Sequence, residues 1–198
     1  ENDFDVNFSE GVIKGITGGL PFQLLNKTYG FAITARGKSP AFKNHHVIAI
    51  RGTKVMVPDW MTNINIGLTV GPNNKDVHAG FMKAFESLKP SFEKYILANQ
   101  PNHVHCVGHS LGGALATLTA SWLKSTYGIP VTIYTFGAPR VGNSAFATHV
   151  ESFIPSYRVT HGMDPVPWIP LWPFTHAGDE YLLAGNKGAR FSVSAHSM

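Results

Sequence analysis

The sequence predicts an α/β fold: a central, mostly parallel sheet with helices on both faces. Three observations predict it. Strand-like apolar runs alternate along the chain with segments whose apolar residues recur every three or four positions. One strand, "VHCVG" (104–108), passes through a glycine-flanked serine straight into an Ala-rich helix. The length, 198 residues, suits one domain that buries roughly 70–75% of its unfolded surface without disulfide or metal support. Residues 1–198 are therefore read as a single domain, in which 1–28 form an N-terminal segment with no assigned role.

In chain order, "YGFAITA" (29–35) and "HVIAIRG" (46–52) read as strands, the second ending in a glycine turn. "TVGPNNKDV" (69–77) has the Gly, Pro and Asn content of a loop. In "GFMKAFESLKPSFEKYILA" the residues Phe81, Phe85, Leu88, Phe92 and Ile96 make the apolar stripe of an amphipathic helix, with a kink expected at Pro90. "VHCVG" follows as a buried strand. A helix over 111–127 ends at the stop signals Gly128 and Pro130. "VTIYTF" (131–136) is the next strand, Phe146 to Phe153 a short helix, and "YRVTH" (157–161) another strand. "EYLLAG" (180–185) and "RFSVS" (190–194) close the pattern around a turn at 186–188.

Composition narrows the function classes. Hydrophobic residues make up 43% and charged residues 14% of the chain, within the globular range, and no run of about 18 apolar residues would span a bilayer. A net charge of +4 with scattered Lys and Arg argues against a nucleic-acid surface, while leaving attraction to anionic membranes open. Cys106 is alone, so no internal disulfide is expected, and its place in an apolar strand reads as a buried, inert thiol. The opening residues lack the basic and apolar pattern of a leader, which reads as a mature or trimmed form.

The chemistry centres on Gly108-His109-Ser110-Leu111-Gly112. Between a strand and a helix this pattern is a nucleophile elbow, a turn so tight that a Cβ at either glycine would strike the adjoining strand or helix. The turn lifts the Ser110 hydroxyl to the carboxyl edge of the sheet, over a helix N-terminus that favours developing negative charge. A nucleophilic serine needs a base, and the base an orienting acid, in the chain order Ser, acid, His. After Ser110 the acids are Glu151, Asp164, Asp179 and Glu180, and the histidines His149, His161, His176 and His196. His149 and Glu151 fall on a helix. Asp164 follows a strand in a loop stiffened by Pro165 and Pro167, and His161 precedes it. His176 and His196 remain; His196, directly after the last strand, is the preferred base. Oxyanion donors are expected at the backbone N–H of Leu111 and at Thr53, after the strand ending in Arg51-Gly52. His103 and His105 share a strand face, but no further ligand has metal-site spacing, so no metal is expected, and no cofactor either.

"AIRGT", "DWMTNI", "VHAGF", "GHSLGGALATL", "YTFGAPRVGN" and "VTHGMDPVPWIP" occur in this order over about residues 29–196. Together they resemble the class 3 lipases, the fungal-type triacylglycerol lipase family of the α/β-hydrolase fold, which also contains feruloyl esterases. The resemblance implies Ser110 as nucleophile, Asp164 as acid, Thr53 and Leu111 as oxyanion donors, and a base beyond the His176 of "HAGDEY", in agreement with His196. It also implies a lid and acyl pocket in "KVMVPDWMTNI" (54–64), through Val55, Met56, Val57, Trp60 and Met61. A second apolar run, "PVPWIPLWPF" (165–174) with Trp168, suggests docking on a lipid interface. The expected function is a serine lipase or esterase on triacylglycerol-like esters, from a secreted or exported protein. The alternatives are a phospholipase, a soluble-ester (feruloyl-type) esterase, or a hydrolase-like ligand-binding protein without turnover. Oligomeric state is not legible in the sequence.

Overall fold

The computed structural model describes residues 3–14, 30–52, 67–183 and His196. Its centre is a seven-stranded sheet in the order β1-β2-β3-β6-β7-β9-β11. These strands are β1 (Phe4–Lys14), β2 (Gly30–Gly37), β3 (His45–Arg51), β6 (His103–His109), β7 (Val131–Phe136), β9 (Ser156–Thr160) and β11 (Asp179–Leu182). The first two pairings, β1 with β2 and β2 with β3, are antiparallel. From β3 through β6, β7 and β9 to β11 every pairing is parallel. The mostly parallel sheet is as expected.

The edge strand β1 lies within the segment to which the sequence assigned no role. "FDVNFSEGVIK" carries a short apolar alternation, Phe4, Val6 and Phe8, broken by Glu10 and Gly11. The pairing with β2 shifts register between Asn7 and Val12, an irregularity that masks the period-2 signal. A second sheet, also unforeseen, is antiparallel in the order β10-β8-β5-β4. It joins β4 (Leu68–Val70), β5 (Asp76–His78), β8 (Gly142–Asn143) and β10 (Phe174–Thr175). The supposed loop at 69–77 is thus a hairpin, closed where the Gly71 N–H donates to the Lys75 carbonyl at 2.8 Å. Strands of two or three residues are too short to carry a periodic signature.

Among the described residues three α-helices follow the predicted order: α1 (Ala79–Asn99), α2 (Leu111–Tyr127) and α3 (Ser144–Phe153). The buried face of α1 is Phe81, Ala84, Phe85, Leu88, Phe92 and Ile96, the predicted stripe. The helix runs unbroken through Pro90, which lies on the exposed side, where solvent can take up the carbonyl its missing N–H leaves free. From Leu111 through Leu123 every residue of α2 is buried, because this helix lies between the sheet and α1. The Phe85 and Trp122 rings meet at 5.9 Å across the helix pair. Ile48, Cys106, Ile133, Phe146 and Val150 belong to the same core cluster, so α1, α2 and α3 cover one sheet face. The expectation of helices on both faces is met on that face among the described residues. The opposite face carries His45, His103, His105, Tyr134 and Tyr157, all half-buried.

Candidate active site

Ser110 sits at the junction of β6 and α2 with φ 56° and ψ −129°, backbone geometry that costs a non-glycine residue ~1–3 kcal/mol. The flanking glycines explain why it is held there. A Cβ on Gly108 would collide with the backbone of Gly112 and Gly113, and one on Gly112 with the carbonyl of Ile50. A third glycine, Gly52 at the end of β3, lies so close that a Cβ there would sit 3.2 Å from the Ser110 Cβ. The Ser110 N–H donates to the Phe136 carbonyl at 2.9 Å, tying the elbow to the end of β7. Ser110 itself is 7% exposed.

Asp164 and His196 form a buried pair. The distance from His196 Nδ1 to Asp164 Oδ2 is 2.8 Å, and the two residues are 4% and 2% exposed. Asp164 lies in the loop after β9, where its other carboxylate oxygen accepts the Val166 N–H at 2.9 Å. A carboxylate can only accept, so Nδ1 carries the proton and a neutral His196 presents its lone pair at Nε2. Nε2 is buried and has no hydrogen-bond partner among the described residues.

Gly137 explains how the pair fits against the sheet. Its φ is +54°, and a Cβ there would stand 2.7 Å from Asp164 Oδ2 and 3.1 Å from His196 Nδ1. The residue before the serine also takes part. The His109 ring stacks on that of His196, centroids 4.7 Å apart, and His109 Nε2 is 2.9 Å from the His196 carbonyl oxygen. Neither Gly137 nor His109 was singled out from sequence. For His109 the signal was its place inside the elbow motif; nothing in the sequence said that position 196 returns beside it.

The other histidines are engaged elsewhere. His176 Nε2 donates to the Pro167 carbonyl at 2.6 Å, and burial, reinforced by Arg158, lowers its pKa to about 4. His161 Nδ1 accepts the Met163 N–H at 3.3 Å. His78 caps α1 by accepting the N–H groups of Gly80 and Phe81. His45 joins His103 and His105 in a ring cluster, with His45 Nδ1 3.1 Å from His105 Nε2. Among the described residues no group of three or more His, Cys, Asp or Glu is arranged to hold a metal.

Leu111 is the first residue of α2, where helix N–H groups have no intrahelical acceptor and point outward from the turn. Thr53 lies outside the described residues, as do Val55, Met56, Val57, Trp60 and Met61 and the strand expected at 190–194. Trp168 ends the short turn Val166–Trp168 and is 40% exposed. It lines a cleft of about 210 Å³ with Arg140, Arg158, His161, Glu180 and Leu182. Beyond it Leu171 and Trp172 are 71% and 90% exposed.

Comparison with known proteins follows the same lines. Residues 47–174 match the family model described as Lipase (class 3). The chain is 39% identical over 151 residues to the secreted mono- and diacylglycerol lipase 1 of Fusarium solani, covering 70% of this chain and 44% of that protein. It is 38% identical over 157 residues to the secreted mono- and diacylglycerol lipase A of Penicillium cyclopium, covering 75% of this chain and 51% of the relative. Among solved structures, the lipase of Rhizopus microsporus var. chinensis superposes with a TM-score of 0.74 at 25% identity, over 95% of this chain and 73% of that one. The chain spans about half the length of the curated relatives it matches.

Proposed function

The chain belongs to the class 3 lipase family of the α/β-hydrolase fold, and from that premise we propose that it is a secreted serine lipase acting on the ester bonds of acylglycerols. One observation carries the proposal: a buried Asp164–His196 pair at 2.8 Å, whose His196 ring stacks on His109, the residue that precedes a strained, glycine-flanked serine.

The reaction is a two-step acyl transfer. Ser110 Oγ bonds to the ester carbonyl carbon as its proton passes to His196 Nε2, and the carbonyl electron pair moves onto oxygen. Asp164 keeps the imidazole in the tautomer that can accept this proton and stabilises the imidazolium formed. Backbone N–H groups of Leu111 and Thr53 receive the oxyanion. Collapse breaks the carbon–oxygen bond to the alcohol, which leaves with the proton from His196. Water then attacks the acyl-enzyme by the same route, releasing the carboxylic acid and restoring Ser110.

The substrate class rests on the named activities of the relatives and on the apolar run after the acid. Trp168, Leu171 and Trp172 stand exposed beside the Asp164 loop, a place suited to contact with a lipid surface that presents the ester to the serine. The residues assigned to an acyl pocket and lid, Val55, Met56, Val57, Trp60 and Met61, would complete it.

Ser110→Ala tests the chemistry: it should abolish labelling by an organophosphonate and lower ester turnover by about 10⁵-fold or more. A variant that still labels and turns over at wild-type rate overturns the assignment. The substrate is tested by comparing a glyceride emulsion, a phospholipid and a soluble aryl ester. The lipase reading requires glyceride hydrolysis that rises as the substrate passes from solution into emulsion, whereas preference for dissolved esters identifies an esterase.

A further inference from the structure

We propose that His109 is a positioning residue for the base: through its Nε2–H and its ring face it holds His196 in the one orientation that serves Asp164 and Ser110 together. The inference rests on the hydrolase reading above and assigns a role beyond the triad.

The argument begins with what each neighbour of His196 can fix. Asp164 bonds one atom of the ring, Nδ1, and a single hydrogen bond leaves the ring free to pivot about it. Gly137 removes side-chain bulk beside the pair but supplies no attachment. His109 contributes two further constraints. Its ring lies 4.7 Å from the His196 ring, with planes 30° apart, which restricts pivoting. Its Nε2 lies 2.9 Å from the His196 carbonyl oxygen. A carbonyl only accepts, so Nε2 is the donor, and the bond anchors the peptide from which the base projects. Asp164 and His109 thus hold the same residue from its side chain and its main chain.

The placement follows from the strand. β6 buries Val104, Cys106 and Gly108 toward the helices, and alternation sends His109 to the other face. There, at the carboxyl end of β6, it stands one residue from Ser110. The element that presents the nucleophile therefore also carries the brace of the base, and the two cannot move independently. His109 is half-buried, and burial first, then the neighbouring His196 ring, lower its pKa. A neutral ring beside His196 is also the arrangement that tolerates the imidazolium the reaction creates.

Three substitutions separate the elements of the brace. His109→Gln keeps an N–H donor near the position of Nε2, His109→Phe keeps the ring and loses the donor, and His109→Leu loses both. On a water-soluble aryl ester, kcat should fall about 10-fold in the Phe variant and about 100-fold in the Leu variant, with KM within about twofold, because misplacing a catalytic group by a fraction of an ångström to one ångström costs on this scale. The Gln variant, which keeps the donor and loses the ring, should also fall only about 10-fold and stay well above Leu, and all three should keep a wild-type thermal midpoint to within a few degrees. Wild-type kcat in the Leu variant overturns the proposal. So does a loss that tracks the thermal midpoint in all three variants, Gln included, since that describes packing alone.

Failure of the unmodified chain to hydrolyse any ester would count against the hydrolase reading, and a non-catalytic readout then decides the brace. Solvent exchange of the His196 Nδ1–H, followed by proton NMR, should accelerate in His109→Leu, and unchanged exchange overturns the positioning role.

Discussion

At the scale of single residues, the site depends on positions where a side chain has been left out. Gly137 backs the Asp164–His196 pair with a positive φ and room for no Cβ. Gly137→Ala should therefore lower kcat on a soluble ester by about 100-fold and destabilise the fold by ~1–2 kcal/mol, measured as turnover and as denaturant midpoint on the same preparation. If the two carboxylate–imidazole atoms relax around the methyl group and kcat holds, the close approach is not functional. Cys106 is the opposite case, a reactive atom made inert. It is fully buried, and desolvation pushes its thiol well above the ordinary range. An aromatic disulfide reagent should leave it unmodified in the folded protein and titrate one thiol on denaturation. Its burial was legible from an apolar strand with a single cysteine; the close approach of Gly137 to the pair was not, because a glycine after a strand reads as an ordinary turn.

At the scale of elements, the long helices were legible and the short strands were not. The stripe Phe81, Phe85, Leu88, Phe92, Ile96 repeats often enough to define a face, and the stop at Gly128 takes a left-handed φ of 67° with its N–H on the Lys124 carbonyl. What the periodicity did not reveal is that α2 is enclosed on all sides over Leu111–Leu123, since small residues such as Ala114, Ala116 and Ala120 show no polar face to betray it. Truncation there is expensive: Leu118→Ala should cost ~2–5 kcal/mol, read from urea unfolding, whereas Leu97→Ala on the exposed side of α1 should stay within about 0.5 kcal/mol. The small sheet was missed because β8 and β10 are two residues long and owe their existence to partners far away in sequence. Its strand β5 nevertheless sets the start of α1, through the His78 cap. His78→Ala removes the acceptor of the Gly80 and Phe81 N–H groups and should lower stability by ~1–2 kcal/mol.

At the scale of the whole molecule, histidines outside the site govern acid stability. Burial is the leading cause that lowers His46, His78, His105 and His176 from 6.5 to about 4, and Arg36, His103 and Arg158 add to it at His46, His105 and His176 respectively. In the folded chain these rings stay neutral until about pH 4, whereas in the unfolded chain they protonate near 6.5. Unfolding therefore takes up protons between those values. The stability that neutral burial supplies is complete above pH 6.5 and is lost as pH falls toward 4. Chemical denaturation at a series of pH values should show a falling midpoint over this window, with a slope equivalent to an uptake of about two to four protons; a flat profile between pH 6.5 and 4.5 would contradict the buried placement of these rings. Ordered local patterns determined the parallel sheet, the helix faces, the tight turn at Ser110 and the placement of Asp164 in the loop after β9, because each is specified by neighbours within one turn or one strand. Only the tertiary structure decided that His196 sits against Asp164 while His176 grips Pro167, and that His109 and Gly137 close around the pair. Those contacts join residues 9 to 87 positions apart, and no local spacing encodes which loop returns to which strand end.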